Sequence, residues 1–137
     1  MARKWLNRAW MMDYEIRALE DVEEEEWRRV TARTAKLDGI QVKGTRNPHK
    51  FDRLVELQSK IDNRIEEKIA VKTEILDFIA EIPDTTWRTL LIYRYVRFMT
   101  WERIGSRMHY SHSQVRRLHL AALAYCGEIL MKDLNEH

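Results

Sequence analysis

Residues 100–123, TWERIGSRMHYSHSQVRRLHLAAL, decide the fold of this chain. Thr100 is a helix-capping residue type, and Ile104 follows where a short helix would turn an apolar side chain inward. Ser111 and Gln114 have the spacing of a capping box, in which two reciprocal hydrogen bonds fix the start of a helix. The pattern predicts two helices joined by a tight turn. Its core-facing positions on the second helix, at spacings of three and four, are Val115, Leu118 and Ala122.

The sequence outward from this stretch also has helical patterns. Charged residues make up 34% of the chain, whereas it has only Gly 4 and Pro 2, and this mixture favours helices over sheet. Apolar residues at spacings of three and four predict one long helix from about Arg3 to Leu37 and another from about His49 to Ile82. Turn-forming residues predict a loop at about 38–49, and a third helix is expected from about Thr86 to Phe98.

The predicted fold is all-α. Residues 1–83 are expected to form a long antiparallel helical hairpin resembling a coiled coil, and 84–137 a three-helix C-terminal domain with the helix-turn-helix. A two-helix hairpin buries only one side of each apolar stripe. Two interpretations of the hairpin are therefore open: core packing within one chain, and a seam between two chains of a homodimer.

Positive charge is concentrated in the C-terminal part. Residues 1–83 hold 16 Lys+Arg and 17 Asp+Glu, whereas 84–137 hold 8 and 5. A local positive field attracts phosphate and supplies most non-specific affinity for DNA. A solvated helix face is the alternative explanation. The charged residues within 88–119 are one acid, Glu102, and seven arginines: Arg88, Arg94, Arg97, Arg103, Arg107, Arg116 and Arg117.

A helix-turn-helix places its second helix in the major groove, while its first helix crosses the DNA backbone. An arginine can grip guanine O6 and N7 with two parallel bonds, worth roughly 1–3 kcal/mol of discrimination. The sequence therefore predicts double-stranded DNA as the partner. The expected base-reading residues are His112, Ser113, Gln114, Arg116 and Arg117. The expected phosphate contacts are Thr100, Trp101, Arg103, Arg107 and Ser111.

The histidines near the turn allow a second interpretation. His109, His112 and His119 are close in sequence, so a metal site is an alternative, but no cysteine lies at finger spacing. Histidines that face solvent or DNA are the favoured interpretation, with His109 and His119 facing different ways. His109 is also expected in a left-handed turn conformation, which histidine tolerates better than most residues.

No enzyme signature is found in the sequence. It has no phosphate loop, no His-Glu-x-x-His, no nucleophile elbow and no paired cysteines, so we expect no catalytic activity and no cofactor. The single Cys126 fits a reducing compartment. The first residues lack the apolar run of a signal peptide, and no window approaches eighteen apolar residues. We therefore expect a cytoplasmic protein with no membrane partner.

The segments LIYRY (91–95), TWERI (100–104) and YSHSQVRRLH (110–119) resemble small phage and prophage transcriptional regulators. The C-terminal part of these regulators is similar to region 4 of bacterial sigma factors. The resemblance covers the chain from about Leu37. It implies a regulator of phage genes in a bacterial host, with groove-facing residues His112, Ser113, Arg116 and Arg117.

This chain departs from the family pattern at two places. The family tends to have glycine near Phe98-Met99 and at His109. Apolar Phe98 and Met99 beside the motif suggest a contact for RNA polymerase or for a second subunit. A side chain at 109 in place of glycine suggests a different angle between the two helices.

Two other functions are open. One is a small terminase subunit, which recognises phage DNA for packaging and assembles into a ring. The other is an interaction module that binds RNA polymerase without touching DNA, for which exposed Trp5, Trp10 and Phe98 would be suitable.

Overall fold

A computed structural model of the chain describes residues 1–37, 49 and 51–136. Every regular element within these ranges is a helix, so the predicted all-α class is confirmed. None of the described helices is long and apolar enough to cross a bilayer. The predicted loop at about 38–49 lies outside the described residues apart from residue 49. The elements are α1 (Ala2–Leu6), α2 (Arg8–Leu37), α3 (Asp52–Ala80), α4 (Thr85–Leu91), a π-helical turn (Ile92–Val96), α5 (Trp101–Met108) and α6 (His112–Glu136).

The first predicted helix is interrupted at Asn7, which separates α1 from α2. Asparagine is a weak helix former because its side chain competes with the backbone for hydrogen bonds. The Arg8 Nε–H also donates to the Trp5 carbonyl oxygen at 2.9 Å, and so satisfies a carbonyl at the end of α1.

The third predicted helix changes its winding halfway. α4 begins at the cap residue Asp84, whose side chain accepts from the Trp87 N–H at 3.1 Å. After Leu91 the chain continues as the π-helical turn, which ends where Phe98 adopts φ 58. The Met99 N–H then donates to the Tyr93 carbonyl, six positions back in the chain, at 2.9 Å, and so closes the end of the turn.

The described chain divides into two compact units. Unit 1 comprises Met1–Met11 and Lys68–His137, and unit 2 comprises Met12–Glu67. Unit 1 has a continuous apolar core to which all its helical segments contribute. Its buried members are Ala2, Leu6, Ala9, Ile75, Ile79, Ile82, Leu90, Leu91, Tyr95, Met99, Ile104, Val115, Ala122 and Cys126.

Unit 2 buries much less. Its buried apolar residues within the described ranges are Ile16, Leu54 and Ile61. Ion pairs link its two helical segments: Glu15 to Arg64 at 3.2 Å and Glu26 to Arg53 at 3.8 Å. Several large apolar side chains are left exposed, among them Trp27 at 55% and Phe51 at 48%.

The two compact units do not follow the predicted division at residue 83. Leu6 and Ala9 from the N-terminal end belong to the same buried cluster as Val115 and Cys126 from α6. Local patterns of helical periodicity do not report such contacts between distant parts of a chain. The assignment of domains to 1–83 and 84–137 stays a prediction.

Candidate nucleic-acid interface

The segment from Thr100 to α6 folds as two capped helices with a tight turn. The Thr100 side chain accepts from the Arg103 N–H at 3.3 Å and so caps α5. His109 ends α5 with φ 59 and ψ 41, the left-handed conformation predicted for it. The Ser111 N–H donates to Gln114 Oε1 at 2.9 Å, and the Gln114 N–H donates to Ser111 Oγ at 3.3 Å. The predicted capping box is therefore confirmed.

Gly105 allows the two helices to approach closely. A Cβ at this position would lie 3.0 Å from the Tyr110 carbonyl oxygen and 3.6 Å from Val115 Cγ2. The first distance is tighter than ordinary van der Waals contact. Ile104 and Val115 are buried on either side of it, so α5 holds the first turns of α6 in a fixed place.

All five predicted base-reading residues are exposed on the first turns of α6. They do not share one stripe. Ser113 and Arg117 lie four residues apart, and Leu120, 52% exposed, continues their stripe. His112 and Arg116 form a neighbouring stripe that leads to the buried His119. Leu120 is not one of the predicted site residues, because an apolar residue in a helix is assigned to the core when its exposure is unknown.

Gln114 differs from the other four. Its Oε1 accepts the capping hydrogen bond from Ser111, so only its amide NH₂ group is left to interact with a partner. The main role of Gln114 in the structure is therefore to fix where α6 begins.

The guanidinium groups of Arg116 and Arg117 are exposed, and neither has an ion pair or hydrogen bond to any described residue. Among the described residues, nothing competes with an external anion or a base edge for these two side chains.

The predicted phosphate contacts differ in how far their side chains are available to a partner. Arg103 and Arg107 are exposed on α5, and both line a shallow hollow with Met99 and Ser106. Thr100 and Ser111 are exposed, but their hydroxyl oxygens are engaged in capping α5 and α6.

Trp101, the remaining predicted phosphate contact, is half-buried in an aromatic stack. Its ring lies 4.5 Å from the His119 ring and 4.3 Å from the Arg94 guanidinium carbon. These contacts make the indole ring a packing element between α5 and α6.

Two of the seven arginines within 88–119 are used inside the fold. The Arg94 guanidinium is sandwiched between Trp10 and Trp101, 4.3 Å from each ring centroid, and donates to the Met99 carbonyl at 2.9 Å. Arg88 donates to the Ile82 carbonyl and to the Thr85 hydroxyl. The exposed arginines of this segment are Arg97, Arg103, Arg107, Arg116 and Arg117.

The expectation that His119 faces solvent or DNA is wrong. Its side chain is only 4% exposed, and Nε2 lies 2.6 Å from the Tyr95 hydroxyl. Burial, together with the nearby positive charges of Arg3 and Arg94, lowers the pKa of His119 to about 4, so the imidazole is neutral at pH 7. Burial raises the pKa of Tyr95, while Arg3 opposes that shift. The hydrogen bond between the Tyr95 hydroxyl and His119 Nε2 therefore involves a neutral imidazole.

His109 and His112 are exposed, so the three histidines do not converge on one point. In the part of the chain that the structure describes, no three His, Cys, Asp or Glu side chains are grouped closely enough to hold a metal ion.

Arg3 is the site residue that sequence reasoning missed. It lines a hollow of about 280 Å³ together with His112, Arg116 and the neighbouring rings of Trp101 and His119. The sequence places Arg3 a hundred residues from α6, and no local motif connects the two. The only available signal was its positive charge.

The aromatic residues expected to be exposed for a polymerase contact are half-buried instead. Trp5 packs against Phe78 with ring centroids 4.8 Å apart, and Trp10 packs edge-on against Phe98 at 5.4 Å. Lys72 also places its ammonium 4.6 Å from the Phe98 ring centroid. These rings serve unit 1 as packing elements.

The chain matches no protein-family model, no curated protein and no solved structure.

Proposed function

We propose that this protein is a sequence-specific DNA-binding regulator of phage or prophage genes, acting in the cytoplasm of a bacterial host. α6 enters the major groove, and α5 lies across the DNA backbone. The observation that carries the proposal is the pair of exposed guanidinium groups, Arg116 and Arg117, which have no partner among the described residues. They stand on a helix whose start is fixed by a capping box and by the close approach at Gly105.

The electrostatics support a polyanion such as DNA as the partner. Five exposed arginines lie between residues 97 and 117, and the only acid there is Glu102. Arg97, Arg103 and Arg107, the three that are not assigned to base reading, correspond to about three phosphate contacts, which gives a slope of log affinity against log salt of roughly −3.

The likeness to the phage regulators agrees with the backbone. Glycine is typical of the family near Phe98-Met99 and at His109, and the non-glycine residues with positive φ in the described chain are Phe98 and His109. Glycine adopts this conformation at least cost. The turns expected from the family pattern are therefore at the same positions, although the side chains differ.

The experiment that tests the proposal is selection of bound fragments from a random pool of duplex DNA. We expect the wild-type protein to enrich one motif, and the Arg116→Ala/Arg117→Ala double variant to enrich none. Glu81→Ala, an exposed position outside the motif, is the control. Enrichment of the same motif by the double variant would contradict the assignment of α6 as the reading helix.

We further infer that the two helical segments of unit 2 form an antiparallel hairpin that serves assembly or polymerase contact. The pairs Glu15–Arg64 and Glu26–Arg53 support this, because a step forward along α2 is matched by a step back along α3. The exposed Trp27 and Phe51, with ring centroids 6.2 Å apart, would be covered by a second chain in a homodimer.

The same exposed apolar residues favour one second candidate, a small terminase subunit that packages phage DNA from within a ring. The mass of the protein in solution separates the two. A ring of eight or more chains favours packaging, whereas a monomer or a dimer favours the regulator.

A further inference from the structure

The N-terminal helix α1 packs into the core of unit 1 through residues on both sides of Arg3. Ala2 and Leu6 are buried in the same cluster as Ala122 and Cys126 of α6. A Cβ added at Gly127 would lie 4.0 Å from Ala2 Cβ, which is ordinary contact distance, so α1 packs directly on α6. Arg3, on the remaining side of this short helix, is exposed. Its position is therefore set by the core and not by a loose chain end.

The hollow beside Arg3 is lined by positively charged and aromatic side chains. Arg3, His112 and Arg116 supply the polar groups, and Trp101, Val115 and His119 complete the lining. No carboxylate is among the described residues that line it. Two guanidinium groups supply positive charge to the hollow, whereas His119 is held neutral by burial. Such a site is suited to one oxyanion, because arginine matches phosphate with parallel N–H donors.

The neighbouring stripe of α6 has a different character. Ser113, Arg117 and Leu120 are all exposed and do not line the hollow. A hydroxyl, a guanidinium and an aliphatic group are the types that read base edges and the thymine methyl group. One stripe of α6, His112 and Arg116, therefore lines the hollow. The other stripe, Ser113, Arg117 and Leu120, lies on the exposed surface outside it.

We propose that the hollow binds one phosphate of the DNA backbone between Arg3 and Arg116, while the stripe of Ser113, Arg117 and Leu120 faces the bases. This rests on the proposed function, and it moves Arg116 from base reading to backbone contact. It also gives the first turn of the chain a part in DNA binding.

The test measures affinity for two duplexes of equal length, the selected motif and a random sequence, between 50 and 200 mM salt. Arg3→Ala should weaken binding to the selected motif and to the random duplex by the same factor. Arg116→Ala should also affect the two duplexes equally. In the Arg3→Ala/Arg116→Ala double variant, the salt slope should become shallower by about 0.9 in total, because the two groups share one phosphate. The advantage of the wild type over this variant should then shrink about threefold across that salt range.

Lys4→Ala is the matched control, since Lys4 is exposed on the same helix but does not line the hollow. We expect it to leave the ratio of the two affinities unchanged and to lower neither by as much as Arg3→Ala. Arg117→Ala should instead lower affinity for the selected motif alone. Circular dichroism and thermal unfolding of each variant verify that the fold is retained.

Three results would overturn the proposal. Arg3→Ala could behave like Lys4→Ala while Arg117→Ala still loses selectivity, which leaves the proposed function standing without the phosphate site. Arg116→Ala could change sequence preference at an unchanged salt slope, which would return Arg116 to base reading. Finally, wild-type protein that binds neither duplex at 50 mM salt would refute the DNA-binding function together with this site.

Discussion

Units 1 and 2 are built from similar helical sequences, but they bury very different amounts of apolar surface. In unit 1 the side chains of Leu90, Leu91 and Ile104 are 0% exposed. In unit 2 the apolar side chains of Trp27 and Val55 are more than half exposed. Apolar stripes alone therefore do not determine burial. Unit 1 buries its stripes because segments from both ends of the chain meet in one cluster, which gives each helix several neighbours.

This difference matters for the proposed function. A surface that reads DNA has to be held in place, and the capped turn, Gly105 and the Arg94 stack all belong to unit 1. Unit 2 has few buried contacts, and regions of that kind open with the lowest free energy. The following predictions test the contrast, beginning with the largest expected effect.

Truncation of an apolar side chain should have very unequal effects on stability in the two units. Leu90→Ala removes a side chain that is 0% exposed, so we expect the free energy of unfolding to fall by about 2–5 kcal/mol. Val55→Ala, at a position 67% exposed, should change it by less than about 0.5 kcal/mol. Urea unfolding of the full chain measures both. Equal losses would mean that Val55 is covered in solution, for example by a second chain.

Lowering the pH should destabilise unit 1 through protonation of His119. The folded-state pKa is about 4, below the ordinary 6.5, so the unfolded chain binds more protons between these values. The stability due to this group is present above pH 6.5 and is lost as the pH falls towards 4, by about 2–3 kcal/mol.

The measurement for His119 compares the wild type with His119→Gln from pH 7 to pH 4. The difference between the two stability curves should narrow as the pH falls, because glutamine does not titrate. As the pH is lowered, the NMR signal of the Trp101 indole, which contacts His119, should change before the signal of the Trp27 indole of unit 2. Parallel stability curves would show that His119 is not neutral and buried in the folded protein.

Removal of the Arg94 guanidinium should distinguish structural from exposed arginines. Arg94→Ala loses two cation–π contacts and the hydrogen bond to the Met99 carbonyl, for which we expect a loss of about 1–2 kcal/mol. Arg103→Ala, exposed on α5, should leave thermal stability nearly unchanged and weaken DNA binding instead. If Arg94→Ala had no effect on the melting temperature, the stack would not contribute to unit 1.

The smallest effect is expected at the two residues with positive φ. His109→Gly should raise stability by about 0.5–1 kcal/mol, because glycine removes the strain of the left-handed conformation at an exposed site. Phe98→Gly relieves the same strain but also loses the ring that packs against Trp10 and Lys72, so it should be destabilising. Melting temperatures of the two variants compare them directly, and a destabilising His109→Gly would contradict this account of the turn.

Local chemistry was predictable from the sequence, whereas long-range packing was not. The cap at Thr100, the box of Ser111 with Gln114 and the conformation of His109 each depend on residues within a few positions. The break at Asn7 and the π-helical turn depend on backbone hydrogen bonds that several windings can satisfy equally well. Periodicity does not distinguish between those windings.

The site itself shows the same limit. The exposure of Arg116 and Arg117 follows from the helical period once the start of α6 is known. The burial of His119, the inward use of Arg94 and the presence of Arg3 depend on the position of α1, which is set by contacts a hundred residues apart. A single sequence contains no local signal for those contacts.

The discontinuity of unit 1 has a consequence for how the protein is made. Leu6 and Ala9 are synthesised well before Val115 and Cys126, yet the four residues share a core. Contacts with such a large separation form late, because the intervening chain must first be closed into a loop. The core beneath the proposed DNA-reading surface is therefore completed only after α6 has been synthesised. A shorter nascent chain would thus lack the proposed DNA-binding surface.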